Sequence, residues 1–290
     1  MTLPLSVVLA TTDPPPWPDL IACLRILEPQ VRRAGGELIV GESCGVAVGE
    51  RGFPDSPCLV WSSLAGGSVF DLRARALQLA RGNLIATTED HCLVAPDWCD
   101  QILAGFRSAP EALALYGPVL NGSPNRRIDW ANYLHTFGML LPPYDPNRFG
   151  RCPPNANVAY RRSALAPPGS EVRPGWMELE VNPRLFREGR FRFWERMVAT
   201  HVQSHGLWGT FLAHFHNGRS TTGLSRAGLS RRQLPWRLYR ETVRGLGGGE
   251  AYRDLISASL PLLFLLSCCH AIGEVAGVLL GAGHSPARLR

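Results

Sequence analysis

A short apolar run, Leu84-Ile85-Ala86-Thr87-Thr88, passes without a turn residue into Glu89-Asp90-His91 and then Cys92. Two carboxylates and an imidazole in a row are costly to bury unless they are paired or hold an ion. Their place is therefore the open end of a buried strand, which in α/β folds is the edge where ligands bind. Oxygen-rich side chains of this kind suit a divalent cation that grips a diphosphate. The run thus predicts both a sheet and a ligand-binding lip.

The flanking segments extend that reading. Ser6–Ala10, Glu37–Val40 and Cys58–Trp61 read as strands, while Asp19–Ala34, Phe70–Ala80 and Asp97–Ser108 have helical periodicity. Strands alternating with helices predict an α/β fold with a mostly parallel central sheet and helices on both faces. Between Asn121 and Gly175 the proline pairs Pro142-Pro143, Pro153-Pro154 and Pro167-Pro168 predict loops around one strand, Asn157–Tyr160. Trp176–Glu188 is helix-like. Two domains are expected, a catalytic-type domain over 1–225 and a helical tail over 226–290.

The tail changes character. Ser230–Leu246 mixes arginines with Leu234, Trp236, Leu238, Tyr239 and Val243, and Leu255–Gly273 carries no formal charge. As a helix that second stretch measures about 28 Å, close to the roughly 30 Å core of a bilayer. An Arg- and Trp-rich segment beside it fits an interfacial anchor, and two helices packed on the preceding domain are the alternative. Membrane association at the cytoplasmic face is the expectation, with lying on or spanning the bilayer both open.

The net charge of +6 comes entirely from arginine, since the sequence contains no lysine. Arginine suits phosphate, but here it clusters beside apolar segments rather than among exposed aromatics, so nucleic acid is not an expected partner. The eight cysteines are scattered without paired spacing, and the first strand lacks a basic leader, which fits a reduced cytoplasmic setting. After that strand stands Thr11-Thr12-Asp13-Pro14-Pro15-Pro16 in place of a glycine-rich dinucleotide turn, and no P-loop occurs.

The order of strand, acidic strand end, Arg-bearing helix, Ala80-Arg81-Gly82 turn, acidic triplet and Pro96-Asp97-Trp98 resembles an inverting family-two glycosyltransferase of the GT-A fold. The resemblance covers about Leu5 to Leu224, and Leu72–Trp98 is its most specific part. It places Arg73 on the family's diphosphate-contacting arginine, with Ala74 and Ala76 where the family has Asn and Gly. Asn157-Val158-Ala159-Tyr160-Arg161-Arg162 is similar to the strand before the acceptor loop, and His201 to the histidine that closes the catalytic domain.

The resemblance implies roles residue by residue. Thr11, Thr12 and Asp13 with Glu42 and Ser43 would hold base and ribose of a nucleotide-diphospho-sugar. Arg73 would contact its diphosphate, and Trp176 would line the sugar pocket. Glu89, Asp90 and His91 stand on the D-x-D position and would hold Mn or Mg, with manganese favoured because it accepts imidazole. Glu178 takes the position of the base that deprotonates the acceptor hydroxyl, and Glu180 lies two residues on. The acceptor would be a glycan or lipid-linked hydroxyl at a membrane surface. The alternative is a catalytically inactive GT-A-like protein that binds nucleotide-sugar or glycan as a scaffold. The histidines at 205, 214 and 216 lack a zincin spacing and are a weak metal signal.

Overall fold

The structure is a computed structural model that describes all residues except 1–2, 13, 15–16, 47–50, 146–151, 166–171, 226–234 and 290. The elements run β1 (Leu3–Thr11), α1 (Pro18–Arg33), β2 (Glu37–Glu42), β3 (Leu59–Ser63), α2 (Val69–Leu79), β4 (Gly82–Thr88), β5 (Cys92–Val94), α3 (Trp98–Ser108), β6 (Ala114–Tyr116) and β7 (Val119–Asn121). There follow α4 (Arg127–Phe137), β8 (Asn157–Arg161), α5 (Arg162–Leu165), α6 (Asn182–Arg187), β9 (Phe191–Phe193), β10 (Ala199–His201), α7 (Gly206–Leu224), α8 (Pro235–Gly245) and α9 (Arg253–Leu280). The chain packs as two compact units, the first of Met1–Pro118 with Asn155–Thr200 and the second of Val119–Pro154 with His201–Leu289.

The first unit is the expected mixed α/β fold. Its seven-stranded sheet has the order β3-β2-β1-β4-β8-β6-β9. The pairs β2–β3, β1–β2, β1–β4 and β6–β9 are parallel, and only β8 runs against its neighbours. Alternate residues point to one face, where Leu5, Val7 and Leu9 of β1 join Leu38, Val40, Leu84 and Ala86. Helices α1 and α3 cover that face with Leu20, Leu24, Leu27, Trp98 and Ile102. Helix α2 packs against β1, β2 and β3 and starts at a capping box in which Ser68 and Asp71 bond reciprocally.

A polar clamp ties three strands at the end opposite their carboxyl termini. Glu37 Oε1 accepts from Ser6 Oγ at 2.7 Å and from the Arg81 amide at 2.6 Å, while Arg81 Nε reaches Oε2 at 2.9 Å. Ser6 Oγ in turn accepts from the Gly82 amide at 2.7 Å. Position 82 admits only glycine, because a Cβ there would meet Ser6 N at 2.4 Å. Burial works to raise the Glu37 carboxyl pKa, but the bonds from Ser6 and Arg81 outweigh it and hold it below its ordinary 4.5. A depressed folded pKa adds stability above the unfolded value, and that stability is lost as pH falls through the folded one. Glu37→Gln is therefore expected to cost about 2 kcal/mol in urea unfolding at pH 7. The gap from wild type should close as acid protonates Glu37, and a gap that stays constant with pH would rule the clamp out.

The second unit is helical and contains the long apolar C-terminal helix. Helices α7 and α9 lie backbone to backbone. A Cβ on Gly218 would stand 2.2 Å from His270 O, and one on Gly273 would stand 2.0 Å from Phe215 O. Glycine at these positions lets two helices approach more closely than side chains allow. Helix α4 packs on α9 through Ile128, Ala131 and Leu266, flanked by Phe211 and Leu262.

Two expectations change. The segment predicted as loops between Asn121 and Gly175 contains helix α4, whose buried side chains lie all round it and so leave no apolar stripe. Trp176–Glu188 is not one regular helix but a π-helical turn, Met177–Val181, that runs into α6.

Candidate active site

Thr11 and Thr12, Glu42 and Ser43, and Glu89-Asp90-His91 stand at or just after the carboxyl ends of β1, β2 and β4, while Arg73 comes from α2 and Trp176 and Glu178 from the turn before α6. Thr11 and Glu42 are register partners at the ends of β1 and β2. Thr12 and Ser43 follow them, and Ser43 Oγ donates to Thr12 O at 3.4 Å. Asp13 lies outside the described residues. Glu42 is fully buried, and its Oε2 accepts from the amides of Cys44 and Gly45 at 2.7 and 2.8 Å. It thereby fixes the turn after β2, with Arg51 Nη2 3.8 Å from its other oxygen.

Three charged residues far apart in sequence meet at one guanidinium. Arg73, from the buried side of α2, donates through Nη1 to Glu178 Oε1 at 2.9 Å and through Nη2 to Glu89 Oε1 at 3.2 Å. Burial alone would push this guanidinium towards losing its proton, but Glu178 and then Glu89 raise its pKa above the ordinary value. The other arginines of the segment are committed elsewhere, Arg75 to Ser62 Oγ and Arg81 to Glu37.

Glu178 projects from the π-helical turn, a form often found at functional sites. Asn155 Nδ2 also bonds its Oε1, at 3.3 Å, so that among the described residues Oε2 takes no bond. Asn155 is itself braced by Tyr160, whose hydroxyl donates to Asn155 Oδ1 at 2.6 Å, and by Asn182 Nδ2 at 3.2 Å. Glu180 pairs with Arg173 instead, and Trp176 is half-buried with its indole N–H on Leu165 O at 2.7 Å.

The triplet after β4 is a compact set. His91 Nδ1 lies 2.7 Å from Asp90 Oδ1, and Nε2 lies 3.4 Å from Glu89 Oε2. Burial disfavours charge on the ring, yet the bonds to Asp90 and Glu89 prevail and lift its pKa to about 10. The turn is anchored from α1 by the Cys23 thiol, which donates to Asp90 O at 3.1 Å and Cys92 O at 3.2 Å. Burial first, and then the Asp90 charge, pushes that thiol up to about 12, so it acts as a donor and not as a nucleophile.

In chemical type the triplet offers two carboxylates and an imidazole, donors that a divalent cation accepts, with the carboxylates on opposite nitrogens of the ring. Two carboxylates share one imidazole, and Asp90 Oδ2 takes no bond among the described residues. Nearby, the hydroxyls of Thr11 and Thr88 and Arg73 Nε are buried without a hydrogen-bond partner among those residues. An unmet buried polar atom costs about 1–3 kcal/mol, so these two strand-end hydroxyls and the Nε of Arg73 suit a polar ligand. Asn155, Asn182 and Cys23 were not foreseen. The Asn155-Ala156-Asn157 spacing after a proline pair is the one signal that could have pointed to Asn155.

No family model and no curated protein matches the chain. Among solved structures it is similar to residues 1–349 of S. aureus TarS in complex with UDP-GlcNAc, at 11% identity and a TM-score of 0.46, covering 94% of this chain and 89% of that one. The uncomplexed form of the same fragment gives 12% identity and a TM-score of 0.44 over the same shares. A third is the mannosyltransferase PcManGT from Pyrobaculum calidifontis in complex with GDP-Man and Mn2+, at 14% identity and a TM-score of 0.43, covering 97% of this chain and 76% of that one.

Proposed function

We propose that this chain is an inverting glycosyltransferase that moves a sugar from a nucleotide-diphospho-sugar to a hydroxyl of a glycan or lipid-linked acceptor. The observation that carries the reading is Arg73, which holds Glu178 and Glu89 on one guanidinium at the ligand-binding edge of a parallel sheet. Glu178 Oε2 takes the proton of the acceptor hydroxyl as its oxygen bonds to the anomeric carbon. The bond from that carbon to the diphosphate oxygen breaks, and its electron pair leaves on the nucleoside diphosphate. Arg73 and Asn155 orient the carboxylate for that transfer. Glu89, Asp90 and His91 would hold Mn or Mg, which when bound supplies Lewis-acid neutralisation of the leaving diphosphate. Thr11, Thr12, Asp13, Glu42 and Ser43 are the proposed base and ribose edge, Glu42 acting through the turn it fixes, and Trp176 the sugar-side wall.

The site of action proposed is the cytoplasmic face of a membrane, and the helical unit supports the membrane part of that reading. Among the described residues one helix, Glu250–Leu280, is long and apolar enough to cross a bilayer. Trp208 and Trp236 are 76% and 61% exposed, and Arg237, Arg240 and Arg244 line the open side of α8.

The test is a thermal-shift panel of UDP-, GDP- and dTDP-sugars with and without Mn. One nucleotide is expected to stabilise the protein in a metal-dependent way, by about 2.7 kcal/mol at a hundredfold excess over Kd. No shift with any donor would overturn the reading. The same protein is expected to co-sediment with anionic vesicles, and recovery in the supernatant would remove the membrane part. The pairing of the charged site residues among the described ones also suits a non-catalytic nucleotide-sugar binder. Donor hydrolysis by the purified protein would exclude that reading.

A further inference from the structure

Within the helical unit, α9 is packed against α4, α7 and α8 and keeps one open side. On that side Pro261, Leu265, Ile272, Val275 and Leu279 are exposed, and Cys268 between them is half-buried. Their spacing of four and three residues makes a single stripe about 27 Å long that carries no charge. Helix α7 runs parallel to α9, because Gly218 meets His270 and Gly223 meets Ala282 across the seam. Around α7 the order is His214 beside His135 of α4, Gly218 against α9, then Trp208 and Leu212. Around α9 it is His270 beside His135, Gly273 against α7, then the stripe, in the opposite sense of rotation. Parallel neighbours with opposite senses turn their next sides the same way. Trp208 and Leu212, both exposed, therefore continue the stripe as one apolar face. Helix α8 covers another side of α9, its Tyr239 ring 5.5 Å from that of Phe264, and carries Trp236 and three arginines outward.

We propose that this face is immersed in one leaflet of an anionic bilayer, with α7 and α9 lying in its plane, so that α9 does not cross. The proposal rests on the membrane part of the reading above and specifies how the chain sits there. A crossing along α9 would carry α7 with it, since the two backbones touch at Gly218 and Gly273. With α7 would go His216, Asn217 and Arg219, and a charge at the middle of a bilayer is costly. Arg219 is tied into the seam, donating from Nε to Gly281 O at 3.0 Å. In the plane of a leaflet a long arginine side chain reaches the phosphate layer instead. A second copy of this chain is the rival occupant. Phe264, Cys269 and Ala276 beside the stripe, however, carry no charges to set the register of a helix pair. Trp236 with Arg237, Arg240 and Arg244 on the flanking helix matches the headgroup boundary of an anionic leaflet.

The test adds the full chain, without donor sugar, to sealed vesicles of phosphatidylglycerol and phosphatidylcholine in equal parts. Ile272→Glu combined with Leu279→Glu, at positions 60% and 67% exposed, is expected to weaken co-sedimentation on the order of a hundredfold. The double variant should keep the wild-type circular dichroism and melting temperature, because both side chains point out of the packed seam. An epitope tag fused after Arg290 is expected to stay open to protease added outside the vesicles. Unchanged binding by the folded double variant, or a tag protected until detergent is added, would overturn the inference and leave the membrane reading standing. A wild-type chain that is dimeric without lipid and monomeric as the double variant would also overturn it, by assigning the face to a second copy. Wild type that ignores the vesicles would remove the membrane reading and this inference together. None of these results bears on the proposed sugar transfer, which is read separately with donor.

Discussion

Arg73→Met is expected to lose about 3–5 kcal/mol of stability at pH 7 together with donor binding, the largest single effect in the first unit. The side chain is 8% exposed and is held between Glu178 and Glu89. Methionine fills similar volume but leaves two carboxylates desolvated and unbalanced. Arg73→Lys restores the charge but not the fork, since one ammonium does not match two carboxylates in the geometry of a guanidinium. It should recover part of the stability and little of the donor affinity. The loss in Arg73→Met should shrink as pH falls into the carboxylate range, because the two orphaned groups then take up protons. Urea unfolding at pH 7 and pH 4.5 measures this directly. A methionine variant as stable as wild type at both would show that the guanidinium does not hold the site together.

Glu178→Gln is expected to lower turnover by about 10²–10⁴-fold while the fold and donor binding persist. The amide oxygen can still accept from Arg73 Nη1 and Asn155 Nδ2, so the π-helical turn keeps its partners. What disappears is the carboxylate lone pair on Oε2, the one atom of that group without a bond among the described residues. The effect should fall on kcat, with the donor KM changed by less than about threefold. Turnover close to wild type would exclude Glu178 as the base. Glu180 is then no substitute in its present conformation, because it is paired with Arg173.

Much of the first unit was legible because its signals are local. Strands β1, β2, β4 and β8 fall within three residues of the apolar runs that announce them, and α2 begins at the Ser68–Asp71 cap. Periodicity fails for α4 and α7 for a physical reason. Helix α4 is buried on several sides, and α7 buries Thr210, His214, Gly218 and Ser220, small or polar residues that make no apolar stripe. The boundary expected at 226 followed the change in composition. Packing groups 119–154 with 201–289, a relation between segments that composition does not encode.

By itself the sequence determined that a buried strand must end in Glu89-Asp90-His91, since an apolar run followed by three titratable groups has few other places to go. It also determined the alternation that makes the sheet mostly parallel. It could not choose among Arg73, Arg75 and Arg81, nor between Glu178 and Glu180, because all stand at similar spacing with similar chemistry. The tertiary structure sets them in different surroundings. It buries Arg73 and no other of the three arginines between two carboxylates, and one of these, Glu178, comes from 105 residues away. A guanidinium withdrawn from water must find its counter-charges wherever the fold brings them, and that constraint acts across space rather than along the chain.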